Sequence, residues 1–289
     1  MWRNYFIIAQ FRNVMLQSSI HIASENEINV VPAESMLLLH LGNNYIGYCI
    51  TDHHRKQISS WVVYNFSGDA QEAISALVEK HPILRASFSA AYFLHDTPVS
   101  TILPNDFSGK PIAESMFKLN RGDFQGMTVL HQILPNQKND FYFAIPEKLF
   151  GFINEQFSDI HQEHLHALWL RNANSLNVTF RVVFLYQQVH IFVQRDGLCL
   201  LLQQYTFETP EDALYHILNV AQHLKISLQE CTVELEGMID ENSALSIKLN
   251  QYIPNLRWNH PYNDCFSLAA QEYPATFLAF QDRIISCVS

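Results

Sequence analysis

The sequence is poor in charged residues, and cations are the scarcer sign. Charged residues make up 16% of the chain, and 18 Lys and Arg stand against 28 Asp and Glu, which gives a net charge of −10. The Lys and Arg residues are scattered and form no stripe of the kind that displaces counterions from a nucleic-acid backbone. Nucleic acid is therefore not an expected partner. The apolar share of 48% is instead typical of a well-packed globular protein.

Cysteines and long apolar runs are also scarce. The five cysteines are far apart and none belongs to a C-x-x-C pair, which favours reduced thiols over a disulfide framework or a zinc site. The apolar stretch near the N-terminus is interrupted by Gln10 and Arg12, so it is too short for a signal-peptide core or a membrane span. We therefore expect a cytoplasmic protein without membrane insertion.

The common local motifs of catalysis are missing. The sequence contains no nucleophile elbow, Walker loop, dinucleotide-binding glycine triplet or Cys–His signature. Each of these motifs depends on a backbone geometry that few other sequences supply, so their absence weighs against the enzyme classes that use them. A mechanism assembled from distant residues leaves no such mark and stays open.

What the sequence does contain is a pattern of three strands followed by a helix. Apolar and β-branched runs at 36–41, 45–51 and 58–66 predict strands, and the turn Gly42-Asn43-Asn44 separates the first two. Asp69 then stands where a helix N-cap belongs, with an acid three positions later and a broad apolar face beyond it.

The same order returns in the second half of the chain. Strands are predicted at 178–184, 189–193 and 198–207, and the last two are joined by Arg195-Asp196-Gly197, a hairpin turn whose glycine accepts positive φ. Thr209 then begins a helix as its N-cap, with a proline and two acids in the first turn.

The junctions of the two patterns match best. Tyr64-Asn65-Phe66 and Tyr205-Thr206-Phe207 each close the third strand just before a capped helix. Three strands, a turn and a capped helix in the same order twice favour an internal duplication over two unrelated α+β units. The remaining patterns predict strands at 86–94, 99–103, 141–145 and 231–235, and helices at 146–157 and 244–252.

These patterns predict two domains preceded by an extension. We assign 1–34 to an N-terminal extension packed on the first domain, 35–174 to the first domain and 175–289 to the second. The boundary is placed at Asn172-Ala173-Asn174-Ser175, the most polar and turn-prone stretch near the middle of the chain. The C-terminal segment, 277–288, is apolar enough to dock on a core.

A family resemblance follows from this element order. Three antiparallel strands, a crossover helix and further parallel strands make a ribonuclease-H-like unit, and two such units in tandem resemble the fold of actin, Hsp70 and sugar kinases. The chain also resembles the uncharacterised bacterial DUF3822 family from about Glu25 onward, through hydrophobic pattern and short words. These are found in Leu37–Phe66, Tyr142–Phe157, Val178–Phe207, Glu236–Leu245 and Tyr273–Val288. The resemblance implies an α/β protein with tandem duplicated ribonuclease-H-like domains, each a mixed five-stranded sheet flanked by helices, and no assigned reaction.

The resemblance also implies where a nucleotide would bind. Actin-like ATPases place a D-x-G turn between the first two strands of each domain, and its Asp acts through metal-bound water. In the matching stretch His40 stands in the place of the acid. Gly42 is kept, but Asn43 and Asn44 replace the hydroxyl residues.

The second copy departs further from the ATPase pattern. Its turn has neither Asp nor Gly, and the bulky Tyr186 and Gln187 crowd the space that a phosphate needs. The adenosine-side glycine pair is represented at most by Gly237. The candidate cleft residues are therefore Gly42, Asn43, Asn44 and Gly237. We predict no catalytic residue, no metal and no cofactor, with ATP and Mg²⁺ disfavoured.

Histidines are densest at His161-Gln162-Glu163-His164-Leu165-His166. His164 and His166 share a face if the segment is a strand, and His161 and His164 share one if it is a helix. A metal site needs three or four convergent ligands, so we interpret the segment as a solvated polar one. The pair His53-His54 is interpreted as a loop.

Two acids alternate with apolar residues near the predicted cleft. Glu234 and Glu236 flank Leu235, so both carboxylates point to one face of a strand that ends at Gly237. Paired acids in a cleft can hold a metal or act as acid and base. We favour the alternative, an exposed or edge-strand face.

Our first hypothesis for function is a non-catalytic binding or scaffold protein with degenerate nucleotide-binding motifs and a protein partner. The alternative is a divergent ATP-dependent phosphotransferase or phosphohydrolase of the actin-like superfamily that uses Gly42, Asn43 and Asn44 as a remnant phosphate cradle. A third hypothesis is a structural subunit of an oligomer, and the sequence leaves the oligomeric state open.

Overall fold

The computed structural model describes residues 16–23, 30–52, 58–107, 111–122, 125–134, 138–157, 159–171, 178–261 and 273–288. The strands are, in chain order, β1 (Gln17–Ala23), β2 (Ser35–Leu41), β3 (Tyr45–Asp52), β4 (Ile58–Asn65), β5 (Ala90–His95), β6 (Ser100–Pro104), β7 (Met127–Gln132), β8 (Asn139–Pro146), β9 (His161–His164), β10 (Thr179–Leu185), β11 (Gln188–Arg195), β12 (Leu198–Thr206), β13 (Val233–Gly237) and β14 (Leu256–Trp258). The helices are α1 (Ala70–Lys80), α2 (Pro111–Arg121), α3 (Glu147–Gln156), α4 (Leu165–Arg171), α5 (Pro210–His223), α6 (Ala244–Tyr252) and α7 (Ala275–Val288).

Two mixed sheets have the same strand order and the same strand directions. The first runs β1-β4-β3-β2-β5-β9 and the second runs β12-β11-β10-β13-β14. In each sheet the first three strands of the unit pair antiparallel, and the next two add in parallel. The chain therefore contains the tandem duplicated ribonuclease-H-like unit predicted from its sequence. The first sheet has six strands rather than five, because β1 adds to its edge beside β4.

Matching hydrogen bonds support the duplication. The amide of Phe66 donates to the carbonyl of Asn44 (2.9 Å), and the amide of Phe207 donates to the carbonyl of Gln187 (3.0 Å). In both units this bond ties the residue after the third strand to the turn between the first two. The helix that follows is also capped in both units, as predicted, by the side chains of Asp69 and Thr209.

The first sheet is buried on both faces, which explains why its strands are almost continuously apolar. Alternate residues of β2 point to opposite sides. Leu37, Leu39 and Leu41 join a core with α1 and α3, whereas Met36 and Leu38 join a core with α4, α7 and the end of β10. Burying one such side chain contributes about 1.5–3 kcal/mol, so both cores stabilise the sheet substantially.

An insertion between β5 and β9 forms a small subdomain. Its three strands are ordered β6-β8-β7, and α2 packs on them through Ala113 and Phe117. The predictions at 99–103 and 141–145 fall on β6 and β8, and the helix predicted after Pro146 is α3. α2 and β7 were not predicted.

Several predicted boundaries need correction. The strand predicted at 86–94 begins only at Ala90, because Pro82–Arg85 forms a 3₁₀ turn and the backbone after it is irregular. β1, β9, α4 and β14 were also missed. The stretch around Asn172–Ser175, the pair His53-His54 and Cys265 lie outside the described residues. No helix of the described residues is both long and apolar enough to cross a membrane.

Candidate functional site

The two turns that would hold phosphates in an actin-like ATPase meet through stacked tyrosines. Tyr45 begins β3 directly after the turn Gly42-Asn43-Asn44, and Tyr186 lies in the turn between β10 and β11. Their ring centroids are 4.2 Å apart with an interplanar angle of 21°. Tyr45 is 2% exposed and Tyr186 is half-buried, so the stack is largely shielded from water. Aromatic side chains therefore occupy the meeting point of the two units.

Gly42 lies directly beneath the Tyr45 ring. A Cβ atom on Gly42 would lie 2.1 Å from Cε1 of Tyr45, so only glycine fits there. The Gly42 amide donates to the carbonyl of Tyr45 (2.9 Å). Both the space and the donor that a phosphate would use at this turn are thus taken by Tyr45.

The Tyr45 hydroxyl joins two other polar side chains, the buried Asp96 and the half-buried His40. It donates to Oδ2 of Asp96 (2.6 Å) and lies 2.9 Å from Nε2 of His40. Because the single hydroxyl proton goes to the carboxyl group, His40 is the donor in the second bond. Burial, reinforced by Asp96, raises the pKa of Tyr45 well above its usual value. Burial lowers the pKa of His40 to about 4, so this histidine is neutral near pH 7.

Helix α7 fills the rest of the space between the two sheets. Phe277 stacks on Trp61 of the first sheet with ring centroids 4.5 Å apart, and Phe280 and Ile284 pack into the same core. The cavity left between them has a volume of about 30 Å³. Such a volume corresponds to about one water molecule.

The segment His161–His166 is not the solvated one that we predicted. Only His161 is exposed, whereas His164 and His166 are 0% and 2% exposed. The amide of His166 donates to Nδ1 of His164, and Nε2 of His164 then donates to the carbonyl of Thr97. This fixes the tautomer of His164, and burial lowers its pKa to about 4.

His166 continues into a second buried pair. Its Nε2 lies 2.8 Å from Nδ1 of His190, and Nε2 of His190 lies 3.5 Å from Oδ2 of Asp96. Burial lowers the pKa of His190, and Asp96 opposes this shift. Asp96, His166 and His190 thus form a buried cluster at the junction of β5, α4 and β11.

The paired acids Glu234 and Glu236 share a face, but that face is not exposed. Glu236 is 0% exposed, accepts from Nε of Arg283 (3.1 Å) and from Asn259 (2.6 Å), and lies 3.5 Å from Nε of Arg181. The buried position follows from α7, which brings Arg283 against β13.

Arginines outnumber the acids in this network. Glu234 is held by Arg181 and Arg257, so two carboxylates face three guanidinium groups. Burial acts to raise the pKa of Glu234, but the arginines outweigh it and the pKa is lowered. This positive excess disfavours a bound cation. Glu236 and Arg283 instead form a structural clamp between β13 and α7.

Of the four candidate cleft residues, Asn43 borders an open space. It lines a cleft of about 330 Å³ together with Gln188 and Gln204. Asn44 uses its carbonyl to hold the end of β4, as described above. Gly237 has φ +87°, and a Cβ atom there would lie 2.2 Å from the carbonyl oxygen of Phe184. The close approach of Phe184 therefore explains why residue 237 is glycine, and a bound nucleotide is not needed to explain it.

Sequence reasoning missed Asp96, His190 and the role of Tyr45. An acid directly after a predicted strand is a usable signal for Asp96, because the carboxyl ends of parallel strands line the cleft in α/β folds. His190 gives no such signal, since it is a single polar residue in an apolar strand.

Solved structures confirm the fold. One is a protein of Bacteroides thetaiotaomicron with an actin-like ATPase fold and unknown function: TM-score 0.72, 15% identity, covering 89% of this chain and 97% of that one. Another is a chain of the PilM–PilN type IV pilus biogenesis complex: TM-score 0.53, 10% identity, covering 89% of this chain and 98% of that one. At these identities the likeness shows an actin-like ATPase fold and no function.

Sequence comparison gives the family. No curated protein sequence matches the chain. Residues 25–256 match the model of a family described as "Protein of unknown function (DUF3822)". This match spans most of the chain and agrees with the resemblance found in its strands and helices. The chain therefore belongs to the DUF3822 family.

Proposed function

We propose that this protein is a non-catalytic binding or scaffold protein that has kept an actin-like fold without its nucleotide chemistry. The observation that supports this most directly is the stack of Tyr45 on Tyr186, which joins the two turns that hold phosphates in the ATPases. A nucleotide between them requires the stack to separate.

The magnitudes favour the filled state. An aromatic pair contributes about 0.5–1.5 kcal/mol beyond its buried area. The remaining cavity of about 30 Å³ is far smaller than the roughly 300–1,000 Å³ of small-molecule pockets. His40 also supplies no carboxylate for Mg²⁺, and burial keeps it neutral rather than cationic toward phosphate.

A surface groove offers the place for a protein partner. It lies between α1 and α3 and has a volume of about 950 Å³. Its floor contains Leu149 and Phe152, and its rim carries the exposed acids Glu72 and Glu79, with Lys148 as a cation. A partner segment with basic residues and an apolar side chain complements this rim and floor.

The PilM–PilN structure supports this kind of role by analogy of fold alone. It is a complex of two proteins, so a chain of this architecture takes part in a protein assembly. The analogy gives no identity for the partner of this chain.

Calorimetric titration with ATP, ADP and polyphosphate, with and without Mg²⁺, tests the loss of nucleotide chemistry. We expect no binding. Binding tighter than about 100 μM, or roughly −5.5 kcal/mol, that Gly42→Trp abolishes would support the phosphotransferase alternative instead.

Fluorescence anisotropy tests the groove. The probes are an amphipathic Lys/Leu peptide and a Glu/Leu peptide of the same length. We expect the basic probe to bind more tightly, and the double variant Glu72→Lys, Glu79→Lys to weaken it at least tenfold. The double variant Glu230→Lys, Glu241→Lys, at two exposed acids of the second unit, controls for net charge. Equal weakening by the control would rule out the groove.

A further inference from the structure

We infer that Asp96, His166 and His190 form a binding site for one divalent transition-metal ion of the Zn²⁺ type. The site is separate from the surface groove and does not depend on the proposed function. It also departs from our prediction that the chain holds no metal.

The three side chains converge from separate parts of the fold. Asp96 follows β5, His166 lies in the first turn of α4, and His190 lies in the middle of β11. Each offers a ligand atom such that all three atoms lie within 4.8 Å of one another. Among the described residues, these three are the histidine, cysteine or acidic side chains whose ligand atoms come this close together as a group.

The spacing suits coordination with a small adjustment. In a tetrahedral zinc site with bonds of about 2.0–2.1 Å, ligand atoms are about 3.3 Å apart. Nε2 of His190 and Oδ2 of Asp96 lie 3.5 Å apart, which is too long for a good hydrogen bond and close to that spacing. The 2.8 Å hydrogen bond between the two imidazoles uses the other ring nitrogen of His190, Nδ1, so His166 exchanges this bond for the ion when His190 binds through Nε2.

Unsatisfied polar atoms point to the same place. Oδ1 of Asp96 and Nε2 of His190 are buried and have no hydrogen-bond partner. Buried polar atoms are almost always paired, so an orphaned pair of this kind is typical of a missing ion or water. Two such atoms in facing side chains, both of them metal-ligand atoms, favour an ion.

The ligand types select the class of metal. Two imidazole nitrogens and one carboxylate oxygen suit Zn²⁺ and its first-row neighbours, whereas Mg²⁺ and Ca²⁺ prefer oxygen alone. Tyr45 donates a hydrogen bond to Oδ2 of Asp96 and so holds the carboxylate in place, as outer-shell partners of metal ligands commonly do. Because Asp96 and His166 come from the first unit and its closing helix while His190 comes from the second, the ion links the two units.

Metal analysis of the purified full-length protein is the first test. We expect plasma mass spectrometry to find one Zn²⁺ per chain. If the metal is first removed with a chelator, we expect calorimetry to show that the protein binds one equivalent of added Zn²⁺. Co²⁺ should give the intense visible absorption of a four-coordinate site. Added Zn²⁺ should raise the Tm of the metal-free protein, since it binds the folded state.

Asp96→Asn and His190→Gln are the test variants, because they keep shape and hydrogen bonding. We expect each to weaken Zn²⁺ binding at least tenfold and to abolish the Co²⁺ spectrum. Asp140→Asn is the matched control. Asp140 is 2% exposed and lies 3.0 Å from Nε2 of the exposed His131, so it is a buried aspartate paired with a histidine outside the cluster.

Two results would overturn the inference. One is a wild-type protein that folds, as judged by circular dichroism, but binds neither Zn²⁺ nor Co²⁺ at micromolar concentration. The other is binding that Asp140→Asn weakens as much as Asp96→Asn does, which would show that the loss comes from disturbing a buried aspartate in general and is not specific to the cluster. If a test variant fails to fold, the Zn²⁺ stoichiometry and the Co²⁺ spectrum of the wild-type protein still show whether it binds a metal ion.

Discussion

Removing the charge of Glu236 should destabilise the protein far more than removing that of Glu234. Glu236→Gln keeps the shape of a side chain that is 0% exposed, but it removes the buried carboxylate that pairs with Arg283, itself 19% exposed. Breaking a buried ion pair from one side costs about 3–5 kcal/mol. Arg181 is less affected, because it also contacts Glu234.

Glu234→Gln is the matched control. Glu234 is 14% exposed and its partner Arg257 is 57% exposed, so water takes over much of the lost interaction. We expect a cost of about 1 kcal/mol. For a chain of this size, about 2 °C of Tm corresponds to each kcal/mol, so the two variants should lose about 6–10 °C and about 2 °C.

Thermal unfolding followed by circular dichroism at pH 7 measures both losses. The double variant Glu236→Gln, Arg283→Met should recover part of the larger loss, because it also removes the guanidinium group that had paired with the Glu236 carboxylate. Equal losses in the two single variants, or no recovery in the double variant, would refute the clamp between β13 and α7.

Three further predictions concern the filled cleft and can be checked by urea unfolding. Gly42→Ala should destabilise the fold, because Tyr45 must move to admit a methyl group. Gly151 lies in the middle of α3 and has open space around it. Gly151→Ala should therefore stabilise the fold by up to about 1 kcal/mol. Tyr45→Phe should cost about 1–3 kcal/mol, because it leaves two polar groups without the hydroxyl; Tyr215→Phe at an exposed site should change stability little. With a chelator present, the stability contributed by neutral His40 should be complete above pH about 6.5 and be lost as the pH falls toward about 4. The free energy of unfolding should fall by up to about 1.4 kcal/mol per pH unit in this range. His40→Gln should flatten this pH dependence.

The duplicated sheets could be predicted because their signals are local. Strands β2, β3, β10 and β11 alternate or run continuously apolar between clear turn residues, and Asp69 and Thr209 mark both crossover helices. Each of these features depends on neighbours in the chain. Duplication then follows from comparing one half with the other.

The candidate site could be predicted only in its negative features. The replacement of the acid by His40 and the bulk of Tyr186 were visible in the sequence, and the stack on Tyr45 agrees with both. The buried histidines were not visible, because polar letters between His161 and His166 resemble a surface segment. Their burial depends on partners such as Thr97 and His190, which are distant in the chain and are brought near only by the folded sheets.

The position of α7 has a consequence for biosynthesis. Its side chains complete the core shared with Met36 and Leu38 near the start of the first sheet, yet it is translated after every other described helix and strand. Until that segment leaves the ribosome, a broad apolar surface on both units has nothing to cover it. Nascent chains should therefore engage chaperones until α7 docks, and truncation before Ala275 should yield aggregates rather than a smaller folded protein.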